Sequence, residues 1–297
     1  PQFFIYFPAV LRLTNLSLLN TYKVLIFLIN LITALCAWIG FKNVWKSRKA
    51  GYIGCAIYMM GLYRLDDLYI RAAIGEALAL ASMSVAAGYG EYILAVTSSH
   101  FGSAEKEFRF PLSYANQRPL SAHWTVTGSG AFLVGKKESH VRISGLTVGK
   151  IVDYGLKDSQ NMGACMAPAA CDTIWQNLQD FGRSPEDYSR IITGDLGYVG
   201  QSILFDLLLE KGYDIRGKHL DCGMTIFDQQ TQDTHAGGSG CGCAATVLSA
   251  YILPKIERGE WERVLFVPTG ALMSTVSYNE GASVPGIAHA IVLEHEA

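Results

Sequence analysis

The sequence predicts an α/β protein from about residue 75 onward, preceded by an apolar segment of different composition. Two observations support this fold class. Segments typical of helices and of short buried strands alternate from residue 75 to the end of the chain. One helix–strand unit also occurs twice in the same order, which indicates two similar halves that share a core.

The composition argues against several classes of function. The 297 residues are half hydrophobic, which is enough for one large domain or two small ones. The net charge of -2, from 24 basic and 26 acidic residues, argues against a nucleic-acid partner. The seven cysteines are irregularly spaced, which argues against a disulfide framework and favours a reducing compartment. We expect no cofactor and no metal, because Cys241 and Cys243 lack a second cysteine pair or a histidine-rich partner.

The first 70 residues differ in character from the rest. Residues 24–40 (VLIFLINLITALCAWIG) are apolar apart from Asn30 and Thr33, and a basic cluster follows at residues 42–49. This length and these flanks predict a membrane-spanning helix, with the following domain held on the cytoplasmic side. A buried hydrophobic helix is the alternative. A cleaved signal peptide fits less well, because the apolar stretch begins far from the start of the chain.

The elements after residue 75 follow from the hydrophobic pattern and from helix-end signals. Residues 184–187 (SPED) have the signature of a helix start, with a capping serine, an early proline and acids near the positive end of the helix dipole. The other predicted helices span residues 75–87, 168–180, 197–211 and 243–258, and the predicted strands span residues 92–97, 125–134, 190–193, 263–267 and 288–293.

The internal repeat is the most informative pattern. In each half, a helix rich in small residues ends in glycine, and an acidic and an aromatic residue lead into a buried strand: residues 90–97 (GEYILAVT) and 259–267 (GEWERVLFV). Later in each half, a glycine turn leads into another strand, at residues 128–134 and 286–292. We therefore expect a first half over residues 75–148 and a second half over residues 149–297.

A set of ordered motifs resembles one family within the thiolase-like superfamily, that of stage V sporulation protein AD. The resemblance covers residues 75–297, and residues 1–74 do not share it. The motifs are residues 95–100 (AVTSSH), 104–111 (AEKEFRFP), 125–131 (TVTGSGA), 162–163 (MG), 166–170 (MAPAA), 193–196 (TGDL), 221–223 (DCG) and 236–241 (AGGSGC).

The resemblance implies a thiolase-like duplicated αβαβα fold and a role in endospore-forming bacteria. Members of this family are associated with the uptake of dipicolinic acid, as its calcium chelate, into the developing spore. They work beside small membrane proteins of the same uptake system. The expected location is the cytoplasmic or forespore side of the spore inner membrane, and a homodimer is expected because dimers are usual among thiolase-fold proteins.

The chain departs from the family just before residue 75. The family has a Gly-Ala-Cys-Ser-Thr turn there, whereas this chain has residues 70–74 (IRAAI), so no thiol is expected at that helix start. The first half is therefore expected to be incomplete, with apolar surface exposed. A genuine membrane anchor, a fusion and a reading-frame artefact all remain open as explanations of residues 1–74. No catalytic residue is assigned.

Ligand binding by a flat dicarboxylate needs hydrogen-bond donors rather than a nucleophile. Arg109 suits a carboxylate, the residues after the strand at 92–97 lie where α/β proteins place ligands, and the glycine turn at 237–240 directs backbone N–H groups toward an anion. An ion pair of Arg109 with Glu105 or Glu107 is the alternative interpretation. The candidate ligand-binding residues are Ser98, Ser99, His100, Arg109, Asp195, Cys222, Gly238, Ser239 and Cys241.

Three functions remain open at this point. The first is a non-catalytic protein that binds dipicolinic acid. The second is an acyltransferase of the thiolase or ketoacyl-synthase type acting through Cys241, although Asp195 cannot donate a hydrogen bond to an oxyanion while it is ionised. The third is a structural, membrane-associated interaction protein. His219 and Asp221 line the same cleft as Cys222 or belong to a solvated loop, and the sequence favours neither.

Overall fold

A computed structural model describes residues 38–39, 42, 46–49, 52, 74–104, 118–273 and 279–296. The chain divides into two compact units, residues Pro1–Arg71 and Ala72–Ala297. The membrane helix predicted at residues 24–40 lies outside the described residues, except for Trp38 and Ile39. Within the part of the chain that is described, no helix has both the length and the hydrophobicity needed to cross a bilayer.

The second unit alternates helices and strands, which confirms the predicted α/β class. The helices are α1 (Ile74–Ala86), α2 (Phe101–Ala104), α3 (Met162–Asp180), α4 (Gly197–Glu210), α5 (Cys222–Thr225), α6 (Cys241–Val247) and α7 (Leu253–Glu257), with a 3₁₀ turn at Pro185–Asp187 and a π-helical turn at Leu248–Ile252. The strands are β1 (Tyr92–Ser99), β2 (Trp124–Thr125), β3 (Gly128–Gly135), β4 (Val141–Thr147), β5 (Arg190–Thr193), β6 (His219–Asp221), β7 (Gly238–Ser239), β8 (Arg263–Val267), β9 (Thr269–Ala271), β10 (Gly286–Ala288) and β11 (Ala290–His295).

Five strands form the central sheet, in the order β4-β11-β8-β5-β6. Strands β5, β6 and β8 are parallel, and β11 is antiparallel to both of its neighbours. Both faces of this sheet are buried. One face packs against α3 and α4, through residues such as Ile174 and Leu204, and the other packs against α1 and α6, through residues such as Leu78 and Ala245. The parallel strands therefore end at one edge between two helical layers, which is where α/β folds place ligands.

The repeat predicted from the sequence corresponds to two units of the same connectivity. In the first unit, α1 leads into β1, which pairs antiparallel with β3. In the second, α6 and α7 lead into β8, which pairs antiparallel with β11. The β1–β3 ribbon packs one face on α1 and α6, where Ala95 and Thr97 are buried. Its other face exposes apolar side chains, with Leu94 60% and Leu133 67% accessible.

The sheet pairing groups β4 with the second half of the fold. Its residues pair with β11 from Val141↔His295 to Thr147↔Ala290. Residues 75–148 are predicted to form the first half, whereas the pairing joins the end of that stretch to the sheet of residues 149–297. The reason is the short connection after β3, which leads directly to the free side of β11.

Three predicted helices differ from the observed ones, and proline explains two of the differences. Helix α3 begins at Met162, ahead of the predicted start, and contains Pro168 in its interior. The helix predicted at residues 243–258 is interrupted by the π-helical turn, because Pro254 has no N–H group for a regular bond at the start of α7. The start signature at Ser184 is real, since the Ser184 amide donates to the Asp187 carboxylate (2.7 Å), but it caps only the 3₁₀ turn.

Candidate functional site

Asp195 lies in the turn between β5 and α4, at the carboxyl edge of the sheet, and it joins three segments. Its Oδ1 atom accepts a hydrogen bond from the Thr269 hydroxyl (2.9 Å), and its Oδ2 atom accepts one from the Gly240 amide (3.1 Å). Its own amide donates to Thr269 Oγ1 (3.3 Å). The carboxylate therefore connects Thr269, the first residue of β9, to the glycine turn that begins α6. Nothing in the local sequence pointed to Thr269 as its partner.

Ser99, the last residue of β1, makes the matching connection from the other half. Its hydroxyl donates to the Val126 carbonyl (2.7 Å) and accepts from the Gly242 amide (2.8 Å). Cys241 stands between Gly240 and Gly242 as the first residue of α6 and is half-buried. Both backbone neighbours of Cys241 are thus held by side chains, one by Asp195 and one by Ser99.

The glycine turn before α6 is shaped by close packing. Gly240 has φ +99°, a conformation that residues with a side chain rarely adopt. A methyl group at Gly238 would lie 2.7 Å from the Ile226 side chain and 3.0 Å from that of Val126. Gly238 and Ser239 form β7, which pairs in parallel with β2, and both are buried. These two candidate residues therefore form the buried strand that directly precedes Gly240.

The start of α1 meets the end of β8. A methyl group at Gly75 would lie 2.9 Å from the Cβ atom of Pro268, which directly follows β8. The first residue of α1 is Ile74, which is buried, and Glu76 in the first turn is also buried, 3.9 Å from the Nε2 atom of His289. The helix start of each half therefore faces the strand end of the other half, α1 against β8 and α6 against β1.

The remaining predicted site residues are placed differently. Ser98 is exposed on the outer face of the β1–β3 ribbon, opposite to the face that carries Ser99, because successive strand residues alternate. His100 is exposed, and its Nδ1 atom accepts from the Gly102 amide (3.0 Å). Arg109 lies outside the described residues. Cys222 is fully buried behind the Asp195 turn, and burial raises the pKa of its thiol well above the usual value.

Asp221, the last residue of β6, accepts hydrogen bonds from the turn that carries Asp195. Its Oδ2 atom accepts from the Thr193 hydroxyl (2.6 Å) and the Leu196 amide (2.9 Å). Its Oδ1 atom accepts from the amides of Gly197 (3.2 Å) and Met224 (3.2 Å). Burial raises the pKa of this carboxyl, and the four donors oppose that increase. Of the two interpretations that the sequence left open, the structure excludes the solvated loop, since Asp221 is 1% accessible.

The site as a whole combines helix starts with one oriented carboxylate. At the start of α6, the Gly240 and Gly242 amides donate to Asp195 and Ser99. Asp195 thus contributes negative charge beside the start of α6. The first residue of α1, Ile74, has no thiol. The Ser99 hydroxyl donates its proton to the Val126 carbonyl. This arrangement suits binding of a ligand that carries both negative groups and a cation.

The fold contains two helix–strand–strand units, and the helix of each unit begins near a strand end of the other unit. This arrangement is that of a thiolase-like α/β protein. The family described as Stage V sporulation protein AD matches residues 65–294. The chain belongs to this family. The match begins earlier than residue 75, so the expectation that residues 1–74 lie wholly outside the family is wrong for residues 65–74.

A protein of Bacillus subtilis (strain 168) named Stage V sporulation protein AD is 44% identical to this chain over 219 residues. The aligned part is 74% of this chain and 64% of that protein. The chain thus spans less than two thirds of the length of this relative.

Several solved structures are similar to the chain at low sequence identity. One is 3-oxoacyl-[acyl-carrier-protein] synthase III from Aquifex aeolicus VF5, with 14% identity, a TM-score of 0.42, and coverage of 75% of this chain and 64% of that chain. Another is the corresponding synthase from Pseudomonas aeruginosa PAO1, with 11% identity, a TM-score of 0.45, and coverage of 75% and 64%. Human mitochondrial 3-ketoacyl-CoA thiolase matches with 16% identity, a TM-score of 0.36, and coverage of 64% and 44%.

Proposed function

We propose that this chain is a non-catalytic binding protein for dipicolinic acid, taken up as its calcium chelate into the developing bacterial spore. Membership of the stage V sporulation protein AD family supports a role in spore formation. The choice of ligand rests on what the resemblance of the sequence motifs to this family implies, and the chemistry of the site supports it.

The observation that carries this proposal is the position of the Asp195 carboxylate at the glycine turn that begins α6, where its Oδ2 atom accepts from the Gly240 amide (3.1 Å). Helix N–H groups favour the carboxylates of a ligand, whereas a side-chain carboxylate repels them and favours a cation. A calcium chelate of dipicolinate presents both kinds of group. The Asp195 oxygens accept hydrogen bonds from Thr269 and Gly240, and these bonds fix the orientation of the carboxylate.

The contacts of the site give less support to an acyltransferase. A thiolase-type reaction needs an activated thiol and donors for the oxyanion. The helix start of the first half carries Ile74, and the Asp195 carboxylate accepts hydrogen bonds from Gly240 and Thr269. Among the described cysteines, Cys241 is half-buried and the others are buried, so Cys241 defines the competing proposal. Incubation with acyl-CoA distinguishes the two: release of free CoA with a mass adduct on Cys241 contradicts a purely binding role.

Calorimetric titration of the 297-residue chain with dipicolinate, in the presence and absence of calcium, tests the ligand directly. We expect saturable binding that calcium strengthens, and weaker binding of isophthalate, which has the same carboxylate spacing but no ring nitrogen. Asp195→Asn should weaken binding about tenfold or more, because the charge facing the cation is lost. Asp206→Asn is the matched control, since Asp206 is exposed on α4. Absence of binding to the unmodified chain contradicts the proposal.

Arg109 is proposed to grip one ligand carboxylate. The Arg109→Ala variant, measured in the same titration, should therefore bind more weakly. Unchanged affinity of this variant removes Arg109 from the site without affecting the roles proposed for Asp195.

The partners proposed are the ligand, the membrane proteins of the same spore uptake system and a second copy of the chain. We also propose a location at the cytoplasmic or forespore side of the spore inner membrane. Light scattering of the purified chain at micromolar concentration tests the dimer, and a mass of one chain contradicts it.

A further inference from the structure

We propose that Gln201, His219 and Thr193 form a one-directional hydrogen-bond chain that orients Asp221 and thereby positions Asp195. Asp195 is a residue of the proposed binding site, so the effect on ligand affinity rests on the proposed function. The direction of the chain and its hold on the Asp195 turn do not rest on it.

The donors and acceptors determine the direction of the chain. The Gln201 side-chain amide nitrogen lies 2.9 Å from Nδ1 of His219. That nitrogen only donates, so Nδ1 is the acceptor and the ring proton is on Nε2. Nε2 lies 2.9 Å from the Thr193 hydroxyl oxygen and donates to it. The single Thr193 proton is then directed to Asp221 Oδ2, at 2.6 Å.

The surroundings of His219 favour this neutral form. The imidazole is 8% accessible and meets the edge of the Phe205 ring, with the ring centroids 5.2 Å apart. Burial lowers the pKa of His219 to about 3. Thr193 and Asp221 are register partners on the parallel strands β5 and β6, so the sheet itself sets the distance between their side chains.

The final link is the turn that carries Asp195. Asp221 accepts from the Leu196 and Gly197 amides, on the two residues directly after Asp195. The Gly223 amide also donates to the Gly194 carbonyl (3.1 Å). Hence the backbone on both sides of Asp195 is held by residues 221–223. Reversing the chain would place the His219 proton on Nδ1 and draw the Thr193 proton toward Nε2, leaving Asp221 one donor short.

Nitrogen NMR of the ¹⁵N-histidine-labelled, full-length chain tests the direction. We expect His219 to show a protonated Nε2 and an unprotonated Nδ1 from pH 5 to pH 8. In the Gln201→Glu variant, a carboxylate faces Nδ1, so the Nδ1 signal should become that of a protonated nitrogen. A protonated Nδ1 in the unmodified chain, or an unchanged His219 signal in the variant, overturns the proposal.

Hydrogen exchange tests the hold on the turn. Thr193→Val removes the hydroxyl with little change of shape, and Thr193→Ser retains it. We expect the Leu196 and Gly197 amides to exchange about tenfold faster or more in the valine variant and to return toward normal in the serine variant. Equal exchange in all three proteins overturns the proposal. If the valine variant does not fold, Gln201→Glu, at a half-buried position, serves for the same measurement.

Dipicolinate affinity is measured on the same variants. We expect about tenfold weaker binding by Thr193→Val and recovery in Thr193→Ser, although neither change touches Asp195. If the unmodified chain does not bind dipicolinate, the proposed function fails, and amide exchange alone decides the positioning role. If the unmodified chain binds and the valine variant binds equally well, the positioning role fails and the function stands.

Discussion

Replacing Asp221 by asparagine changes one atom in the buried group that organises the candidate site. The carboxylate accepts four hydrogen bonds, two at each oxygen. An asparagine amide has one oxygen, so it can satisfy one pair of donors, while its NH₂ group faces the other pair. If the amide oxygen takes the Oδ2 position, the Gly197 and Met224 amides lose their acceptor. If it takes the Oδ1 position, the Leu196 amide loses its acceptor, while the Thr193 hydroxyl can turn to the Leu220 carbonyl (3.4 Å).

The expected loss of stability follows from the number of donors that are left without an acceptor. Each buried donor that loses its partner costs about 1–3 kcal/mol, so with one or two donors unpaired we expect Asp221→Asn to lower the free energy of unfolding by about 1–6 kcal/mol. Urea denaturation at pH 7.5, followed by circular dichroism, measures it. Asp206→Asn, on the exposed face of α4, should change the free energy of unfolding by less than about 0.5 kcal/mol. Equal urea-denaturation midpoints for Asp221→Asn and the unmodified chain would refute the predicted loss of hydrogen bonds.

Three further predictions concern the pH response, the helix contact and the first segment. The pKa of His219 is about 3 in the folded chain and ordinary when unfolded, so the unfolded state binds the extra proton and the fold loses stability as pH falls below about 6.5. Between pH 6.5 and pH 4.5, the stability advantage of the unmodified chain over His219→Gln should shrink by about 2 kcal/mol in total, and a constant difference in denaturation midpoints contradicts this. A methyl group at Gly163 would lie 2.3 Å from the Leu196 carbonyl oxygen, so Gly163→Ala should cost about 1–3 kcal/mol in the same denaturation assay, whereas Gly217→Ala, which meets open space, should cost nothing; equal costs for both contradict the contact. If residues 24–40 form a membrane anchor, the chain should stay with membranes after carbonate or high-salt washing, because screening charges does not release apolar residues, and release into the wash contradicts an anchor.

The sequence predicts best those elements whose burial is uniform. Strands β5 and β8 match their predicted bounds, because both faces of each strand are covered and the apolar run is continuous. Strand β4 was missed, since its sequence mixes Arg142, Ser144 and Gly145 with apolar residues. Strand β6 was missed for a different reason: His219 and Asp221 are buried polar residues, and their partners lie far away in sequence.

The candidate site was predicted only in part. The motifs predicted Asp195, Ser99 and Cys241 as candidate ligand-binding residues, and the fold brings these three residues to neighbouring loops. They gave no sign of Thr269, whose contact with Asp195 depends on the pairing of β5 with β8. Strand alternation alone would have separated Ser98 from Ser99, because adjacent residues of a strand face opposite sides of the sheet.

Hydrogen-exchange mapping of the full-length chain, with and without calcium dipicolinate, tests the central claim most directly. The account predicts slower exchange at three places that the ligand would contact: the turn at residues 194–197, the start of α6 around Cys241 and the first turn of α1. Residues whose side chains are exposed on the outer face of the β1–β3 ribbon, such as Leu94, should show unchanged amide exchange and serve as an internal reference. Unchanged exchange at all three places, at a ligand concentration that saturates any binding seen by calorimetry, would contradict the account.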